Sequence, residues 1–283
     1  MPSLSRQNLT GSNFAYQHIS FTHFLDDMVD LDLRELELWG IAPHLHIPQL
    51  TRGDIEQIER QLSERELSVR CITPEQVMYP VNIASSDPVL RANSLAFFRR
   101  AAEIGAELGA QWLFLTPGRG LEDETPQSAW GRSAEALSEI GDYAASLGLG
   151  CLLEPLQRVE SNLINSVAQL KRMMVEQNND TFSVVLDVVA MHAAGDTVSD
   201  YAMSFPDQIG HVHLIDGDPT GHLAWGDGTL PLAEYVHQLM SIDYRGKVTF
   251  ELFGDGTYCL DPRPAVEKSI AGFLAALEAS SAR

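Results

Sequence analysis

The segment from Ser128 to Pro155 reads SAWGRSAEALSEIGDYAASLGLGCLLEP and joins one helix to one strand. Its first part places apolar residues at helical spacing, and Gly148 stands where a left-handed residue commonly ends a helix. A short apolar run follows from Leu149 and closes on the acidic residue Glu154. Buried parallel strands have this nearly continuous apolar character. The segment therefore predicts one helix–strand repeat of an α/β fold.

Seven further β-rich runs lie along the 283 residues, with helical segments between them. One of these helices has Asp87 as its predicted N-cap and Pro88 at its first position. Eight such units over this length favour a (β/α)8 TIM barrel over an open doubly wound sheet. We expect a single domain over residues 1–283, with loose termini at about 1–8 and 279–283. The predicted strands lie within Gln7–Tyr16 and at Glu35–Gly40, Ser68–Thr73, Gln111–Pro117, Leu149–Pro155, Phe182–Asp187, His211–Asp216 and Lys247–Leu252.

Bulk composition narrows the class of protein. The net charge of −20 repels phosphate backbones, so we expect no nucleic-acid partner. Cys71, Cys151 and Cys259 are far apart and form no CxxC pair, which argues against a disulfide framework or a thiolate zinc site. The first residues lack the pattern of a signal peptide, and no run approaches the apolar length of a membrane span. We therefore expect a cytoplasmic protein without membrane association.

Four of the later strands end on residues that do not belong in an apolar strand: Glu154, Asp187, His213 and Glu251. The carboxyl ends of barrel strands are where such folds build active sites. Three carboxylates that converge in a buried place need a counter-charge, and a divalent cation is the simplest one. A mostly oxygen donor set suits Mn²⁺, Co²⁺ or Mg²⁺, with Zn²⁺ or Ni²⁺ as further possibilities. Any one of these acids alone is more often a helix cap or an ion-pair partner, but the four together predict a metal site.

The stretch HVHLID places two histidines on the same face of one strand, at different depths. His213 is nearer the carboxyl end, level with the predicted acidic ligands, so we predict it as the imidazole ligand. His211 lies one layer deeper, where a hydrogen-bonded core histidine, or one that supports the metal ligands from behind, is the better interpretation. Asp216 lies beyond the strand, in the loop that carries His222.

Several short motifs resemble those of the xylose-isomerase-like barrel superfamily of sugar isomerases and epimerases, over nearly the whole chain. The resemblance is greatest to the fructoselysine 3-epimerase branch, which is similar to the ketose 3-epimerases that act on tagatose and psicose. The matching motifs are ELWG with PH at Pro43–His44, TPE at Thr73–Glu75, YP with Asn82 at Tyr79–Asn82, WGR at Trp130–Arg132, LEPL at Leu153–Leu156, ESN at Glu160–Asn162, HVHLID, GDG at Gly226–Gly228 and FEL at Phe250–Leu252.

The resemblance implies roles for these residues. Glu154, Asp187, His213 and Glu251 would be the metal ligands, and Glu154 and Glu251 would also be the catalytic pair. Glu160 would contact the substrate near its C1 end, and His222 stands where ketose epimerases carry a substrate-binding arginine. We expect a distal pocket lined by Trp39, His44, Glu75 and Tyr79. Relatives are often dimers or tetramers, so the resemblance also implies a homo-oligomer.

Two positions depart from the family pattern. Ala190 occupies the place of a substrate histidine that lies three residues after the Asp ligand, and His192 is a possible substitute. Trp225 replaces a proline in the motif before Gly226. Both departures bear on the identity of the substrate more than on the type of reaction.

The predicted reaction is inversion at C3 of a small ketose, or of a fructosamine whose C1 is N-substituted, by proton transfer between two glutamates. Each carboxylate can act in turn as base and acid. Three alternatives stay open: an aldose–ketose isomerase on the same metal site, a metal-dependent endonuclease and a non-catalytic sugar-binding barrel. The endonucleases of this superfamily use more histidines, a trinuclear zinc cluster and a basic surface, against which the net charge of −20 argues.

Overall fold

The computed structural model describes residues 4–76, 80–218 and 221–281. Within them, eight parallel strands close into a barrel in which each strand pairs with its neighbours in chain order and β1 pairs with β8. The predicted (β/α)8 TIM barrel is therefore confirmed. The strands are β1 (Leu9–Ser12), β2 (Glu35–Trp39), β3 (Ser68–Thr73), β4 (Trp112–Leu115), β5 (Gly150–Leu153), β6 (Phe182–Asp187), β7 (Ile209–His213) and β8 (Lys247–Thr249).

An α-helix follows every strand, and two short ones follow β6. The α-helices are α1 (Phe21–Asp30), α2 (Arg52–Ser63), α3 (Pro88–Glu107), α4 (Pro126–Ser146), α5 (Val167–Gln177), α6 (Val188–Ala194), α7 (Val198–Ser204), α8 (Leu232–Ser241) and α9 (Arg263–Ser281). Short 3₁₀ helices lie at Arg6–Asn8, Phe14–Tyr16, Ile47–Gln49, Gly254–Gly256 and Tyr258–Leu260. No helix among the described residues is both long enough and apolar enough to cross a membrane.

The helix ends follow the local signals in the sequence. The Asp87 carboxylate accepts hydrogen bonds from the backbone N–H groups of Val89 (2.8 Å) and Leu90 (3.3 Å) and so caps α3. Gly148 has a φ of +82°, which a residue with a side chain rarely adopts, and it turns the chain from α4 into β5. This turn sets where β5 begins and therefore where Glu154 emerges.

Strands β3 and β6 have the predicted bounds, several others are shorter than predicted, and both termini are more ordered than expected. Strand β8 ends at Thr249, so Glu251 lies in the loop beyond it, because parallel pairing with β7 stops at the His213–Thr249 pair. The predicted loose N-terminus is wrong for residues 4–8. Leu4 is buried in the core, and the Asn8 side chain donates a hydrogen bond to the carbonyl of Gly246 (2.8 Å). At the other end, α9 continues to Ser281 through most of the segment predicted as loose.

The inside of the barrel has an apolar half and a polar half. Strands β3 to β6 contribute a small buried cluster of Cys71, Phe114, Leu152 and Val185. Strands β1, β2, β7 and β8 contribute buried polar side chains instead: Thr10, Glu37, His211, His213 and Thr249. The main hydrophobic core lies between the strands and the surrounding helices. The polar half leads directly to the ends of β7 and β8, where two of the predicted ligands, His213 and Glu251, lie.

We predict that Asp87→Ala lowers the free energy of unfolding by about 1 kcal/mol, because two backbone N–H groups at the start of α3 lose their acceptor. Urea denaturation followed by circular dichroism measures the change. Asp87→Asn is the matched control, since its side-chain oxygen still caps the helix and its stability should stay near that of the unaltered chain. Equal losses in the two variants would show that the cap does not stabilise α3.

Candidate metal centre and active site

The four predicted ligands meet at the carboxyl end of the barrel. Glu154 directly follows β5, Asp187 and His213 are the last residues of β6 and β7, and Glu251 follows β8, all of them buried. The Nδ1 atom of His213 lies 2.9 Å from Glu154 Oε1, 3.5 Å from Glu251 Oε2 and 4.0 Å from Asp187 Oδ2. Two atoms that bind one ion at about 2.0–2.2 Å lie within about 4.4 Å of each other. Each separation is compatible with two atoms on one cation, and ligand atoms of Glu154, Asp187 and His213 lie close enough together to bind the same ion.

The hydrogen bonding of these atoms also fits a metal. Glu154 Oε1 and His213 Nδ1 are buried and contact each other at 2.9 Å, but neither makes a well-aligned hydrogen bond. Buried polar atoms are rarely left in this condition, and two that converge on one place are a donor pair for a cation. One imidazole nitrogen among carboxylate oxygens suits Mn²⁺, Co²⁺ or Mg²⁺.

Asp187 caps a helix with one carboxylate oxygen and faces the candidate metal site with the other. Its Oδ1 accepts a hydrogen bond from the backbone N–H of Ala190 (2.6 Å) and caps α6, while Oδ2 faces His213. The cap holds the carboxylate in place and leaves one oxygen directed at the site.

Electrostatics in the site call for added positive charge. Burial is the main cause that raises the pKa of Glu154 to about 8, and the nearby carboxylates of Glu251 and Asp187 raise it further, against the opposing effect of His213. Burial also raises the pKa of Asp187. For His213, burial disfavours the charged form, but Glu37, Glu251 and Glu154 outweigh it and raise the pKa well above its usual value. A divalent cation would offset the negative charge of the ionised carboxylates.

Sequence reasoning missed one residue, Glu37 of β2. Its carboxylate is fully buried and lies 3.0 Å from His211 Nε2 and 3.1 Å from His213 Nε2. Burial opposes its ionisation, but the two histidines outweigh that effect and hold the pKa of Glu37 well below its usual range. The available signal was an acidic residue between Leu36 and Leu38 in a strand whose core-facing side was expected to be apolar. As predicted, His211 is a hydrogen-bonded core histidine, with Thr249 Oγ1 at 2.9 Å.

A cavity of about 340 Å³ opens above the ligands, and Glu154 and Glu251 form part of its wall. The wall is mostly apolar and includes Phe14, Ile41, Pro74, Phe114, Leu156 and Phe253. Three near-parallel aromatic rings form one side of it, with Phe14 stacked between Trp39 at 4.2 Å and Phe253 at 5.3 Å. Volumes and linings of this kind are typical of small-molecule sites.

Four of the predicted substrate-binding residues line this cavity: Trp39, Glu75, Glu160 and His222. His222 Nδ1 lies 2.9 Å from Glu251 Oε2. Burial disfavours the charged form of His222, but the Glu251 carboxylate outweighs it and raises the pKa of His222 to about 9. Glu160 accepts a hydrogen bond from the backbone N–H of Gln157 (2.9 Å), and burial raises its pKa.

Other predicted contacts lie elsewhere. His44 is not among the lining residues of the cavity, and its ring nitrogens already contact Asn13 Nδ2 (3.2 Å) and the carbonyl of Ile19 (2.7 Å), which favours a structural role. His192 lies 2.9 Å from Tyr235 Oη and also does not line the cavity. Tyr79 lies outside the described residues.

Two loop residues have clear structural roles. Asp216 accepts hydrogen bonds from the backbone N–H groups of Gly217, Gly226 and Leu230 and so ties together the loop that carries His222. Trp225 packs directly against Gly272 of α9, where a Cβ would collide with the indole ring. The tryptophan that departs from the family pattern therefore fastens this loop to the last helix.

Comparison with known proteins gives sequence relatives along most of the chain. A family model described as Xylose isomerase-like TIM barrel matches residues 25–277. Fructoselysine 3-epimerase from Escherichia coli O157:H7 is 29% identical over 265 residues, which cover 93% of this chain and 95% of that enzyme. D-psicose 3-epimerase from Agrobacterium fabrum is 25% identical over 223 residues, which cover 75% of this chain and 73% of that enzyme.

Solved structures show the same fold. The structure of an L-ribulose 3-epimerase has a TM-score of 0.80 and 21% identity, and the match covers 96% of this chain and 95% of that one. The structure of D-psicose 3-epimerase with D-tagatose from Clostridium cellulolyticum H10 has a TM-score of 0.76 and 19% identity, and the match covers 96% of this chain and 98% of that one. These relatives and neighbours are carbohydrate epimerases, which agrees with the predicted isomerase class. The predicted resemblance is confirmed, and the chain belongs to the xylose isomerase-like TIM barrel family.

Proposed function

We propose that this chain is a divalent-metal-dependent 3-epimerase of a ketose or of a fructosamine such as fructoselysine. The observation that carries the proposal is the placement of Glu154 and Glu251 in one cavity wall, 2.9 and 3.5 Å from the same imidazole nitrogen. The predicted metal ligands are these two glutamates with Asp187 and His213, and the proposed ion is Mn²⁺, Co²⁺ or Mg²⁺. The relatives support the reaction, since fructoselysine 3-epimerase and D-psicose 3-epimerase are among them.

The proposed chemistry is proton transfer at the carbon next to a ketone. A bound divalent ion polarises the substrate carbonyl and makes the neighbouring C–H more acidic. One of the two glutamates then takes the proton from C3, which leaves an enediolate of the substrate. The other glutamate, which enters the reaction protonated, gives its proton to the opposite face, and the stereocentre is inverted. His222 holds Glu251 in position through its contact at 2.9 Å.

The cavity wall supports a substrate with an apolar surface as well as hydroxyl groups. Sugar C–H groups or the alkyl chain of an N-substituted C1 would pack against the stacked rings of Phe14, Trp39 and Phe253. Glu160 and His222 add polar groups to the same cavity, and we propose that both contact the substrate. Assembly as a homo-oligomer and a cytoplasmic location stay predictions.

Metal removal tests the proposed reaction. We expect EDTA-treated protein to be inactive on a panel of free ketoses and fructosamines, including fructoselysine, and to regain activity when Mn²⁺ is added. NMR of the products determines which centre changes, and inversion at C3 is the expected result. Movement of the carbonyl with every stereocentre retained would instead identify an aldose–ketose isomerase. Cleavage of abasic DNA, with no change in any sugar, would identify an endonuclease.

Replacement of one glutamate tests the two-base mechanism. We expect Glu154→Gln to lower kcat by about 10²–10⁴-fold, because an amide cannot exchange a proton with C3. Product formation and deuterium incorporation at C3 in D₂O measure the loss. The matched control is Glu139→Gln on the exposed face of α4, which should keep full activity. Unchanged turnover by Glu154→Gln would contradict the mechanism, and sugar binding without turnover by the unaltered chain would indicate a binding protein.

The aromatic wall gives a further prediction. We expect Trp39→Ala to raise KM by about tenfold with little change in kcat, because the lost stacking lies away from the reacting carbon. Steady-state kinetics on the best substrate of the panel measure both constants. Trp225→Phe, which alters an indole packed on α9 outside the cavity, is the control. A fall in kcat at unchanged KM would place Trp39 among the residues that act on the reacting atoms.

A further inference from the structure

We propose that Glu37 is a positioning residue that fixes the orientation and the tautomer of His213, so that Nδ1 presents its lone pair to the divalent ion. This inference rests on the proposed function, since it requires an ion at Nδ1. The predicted ligand set does not include Glu37, which reaches the site from β2, on the far side of the imidazole ring.

The geometry holds the ring from two directions. His213 Nε2 lies 3.2 Å from Glu37 Oε1 and 3.1 Å from Glu37 Oε2, so it faces the carboxylate centrally. The ring also stacks on Phe114, with centroids 5.1 Å apart and planes within 5°. Stacking sets the plane of the imidazole, and the carboxylate sets its rotation within that plane. Nδ1 is thereby directed at Glu154, Asp187 and Glu251.

The chemistry of a carboxylate decides the tautomer. An ionised carboxylate only accepts hydrogen bonds, so Nε2 of His213 must carry the proton that it donates to Glu37. A neutral imidazole with its proton on Nε2 has an unprotonated Nδ1, which is the form that binds a metal. The Thr73 hydroxyl, which donates to Glu37 Oε1 at 2.8 Å, further favours the ionised form. Among the described residues, the ion-pair partners of Glu37 are His211 and His213.

A chain of hydrogen bonds fixes Glu37 in turn. Thr10 donates to the carbonyl of Val248 (3.3 Å), so the contact of 2.5 Å between the Thr10 and Thr249 hydroxyls has Thr249 as its donor. Thr249 Oγ1 is then an acceptor for His211 Nε2, which lies 2.9 Å from it and 3.0 Å from Glu37 Oε2. The groups that hold Glu37 thus come from β1, β3, β7 and β8, and closure of the barrel itself orients the metal ligand.

The test is the variant Glu37→Gln, assayed by calorimetric titration of EDTA-treated protein with Mn²⁺. We expect Mn²⁺ affinity to fall by about 10–100-fold, because the amide also offers an N–H donor and so permits the tautomer with its proton on Nδ1. Circular dichroism confirms that the variant is folded. Glu139→Gln on the exposed face of α4 is the matched control: it makes the same change of a carboxylate to an amide away from the site, and its Mn²⁺ affinity should stay within about twofold of the unaltered chain.

The outcomes separate this inference from the proposed function. If the unaltered chain binds Mn²⁺ and Glu37→Gln binds it equally well, the positioning role is wrong and the metal site stands. If the unaltered chain binds no divalent ion, both fall. If Glu37→Gln does not fold, ¹⁵N NMR of the unaltered chain with Mg²⁺ or Zn²⁺ gives the tautomer directly, with the His213 signals identified from His213→Gln. A proton on Nε2 is expected, and a proton on Nδ1 would overturn the inference.

Discussion

The structure depends on one constraint, which is that carboxylates buried inside a barrel need positive charge close by. Four acidic side chains, from Glu37 to Glu251, lie within reach of a single imidazole, that of His213. One histidine cannot compensate all of them, and its own two nitrogens face carboxylates on opposite sides. His222, beside Glu251, adds positive charge on the Nδ1 side, and a divalent cation would add more at the place where the oxygens converge. The site and the fold are therefore coupled through the same charges.

The division of the barrel interior explains how this charge is tolerated. On the β3–β6 side, Phe114 and Leu152 fill the barrel with apolar side chains, and Phe114 also serves as the stacking surface for His213. On the other side, threonine hydroxyls and His211 satisfy the lone pairs of Glu37. A polar network in a protein interior is favourable only when its members are satisfied, and this one is nearly closed. The exceptions are His211 Nδ1 inside the barrel and, at the carboxyl end, Glu154 Oε1 and His213 Nδ1, which make no well-aligned hydrogen bond.

The sequence predicted the barrel, the Asp87 helix cap and the convergence of Glu154, Asp187, His213 and Glu251 at one rim, because these features depend on local pattern and on the rule that strand ends share one rim. It did not predict the role of Glu37, since its partners lie on β7, 174 and 176 residues away. A single acidic residue in an apolar strand does not indicate which side chains it contacts. The sequence placed His44 in the pocket from a motif, but the side chain turns behind the wall toward Ile19. Spacing determines which face a side chain occupies, whereas the partner it meets depends on how the loops pack.

This difference bears on how substrate specificity is built. The proposed ligands are fixed by strand register, by the Asp187 cap and by the network through Glu37, so they are difficult to change one at a time. The aromatic wall comes from segments outside that network: Phe14 follows β1, Trp39 is the last residue of β2, and Phe253 lies in the loop after Glu251. Substitutions there alter the shape of the cavity without disturbing the charges below it. A family built this way can keep one proton-transfer chemistry and vary the sugar on which it acts, as the ribulose, psicose and fructoselysine epimerases among the relatives illustrate.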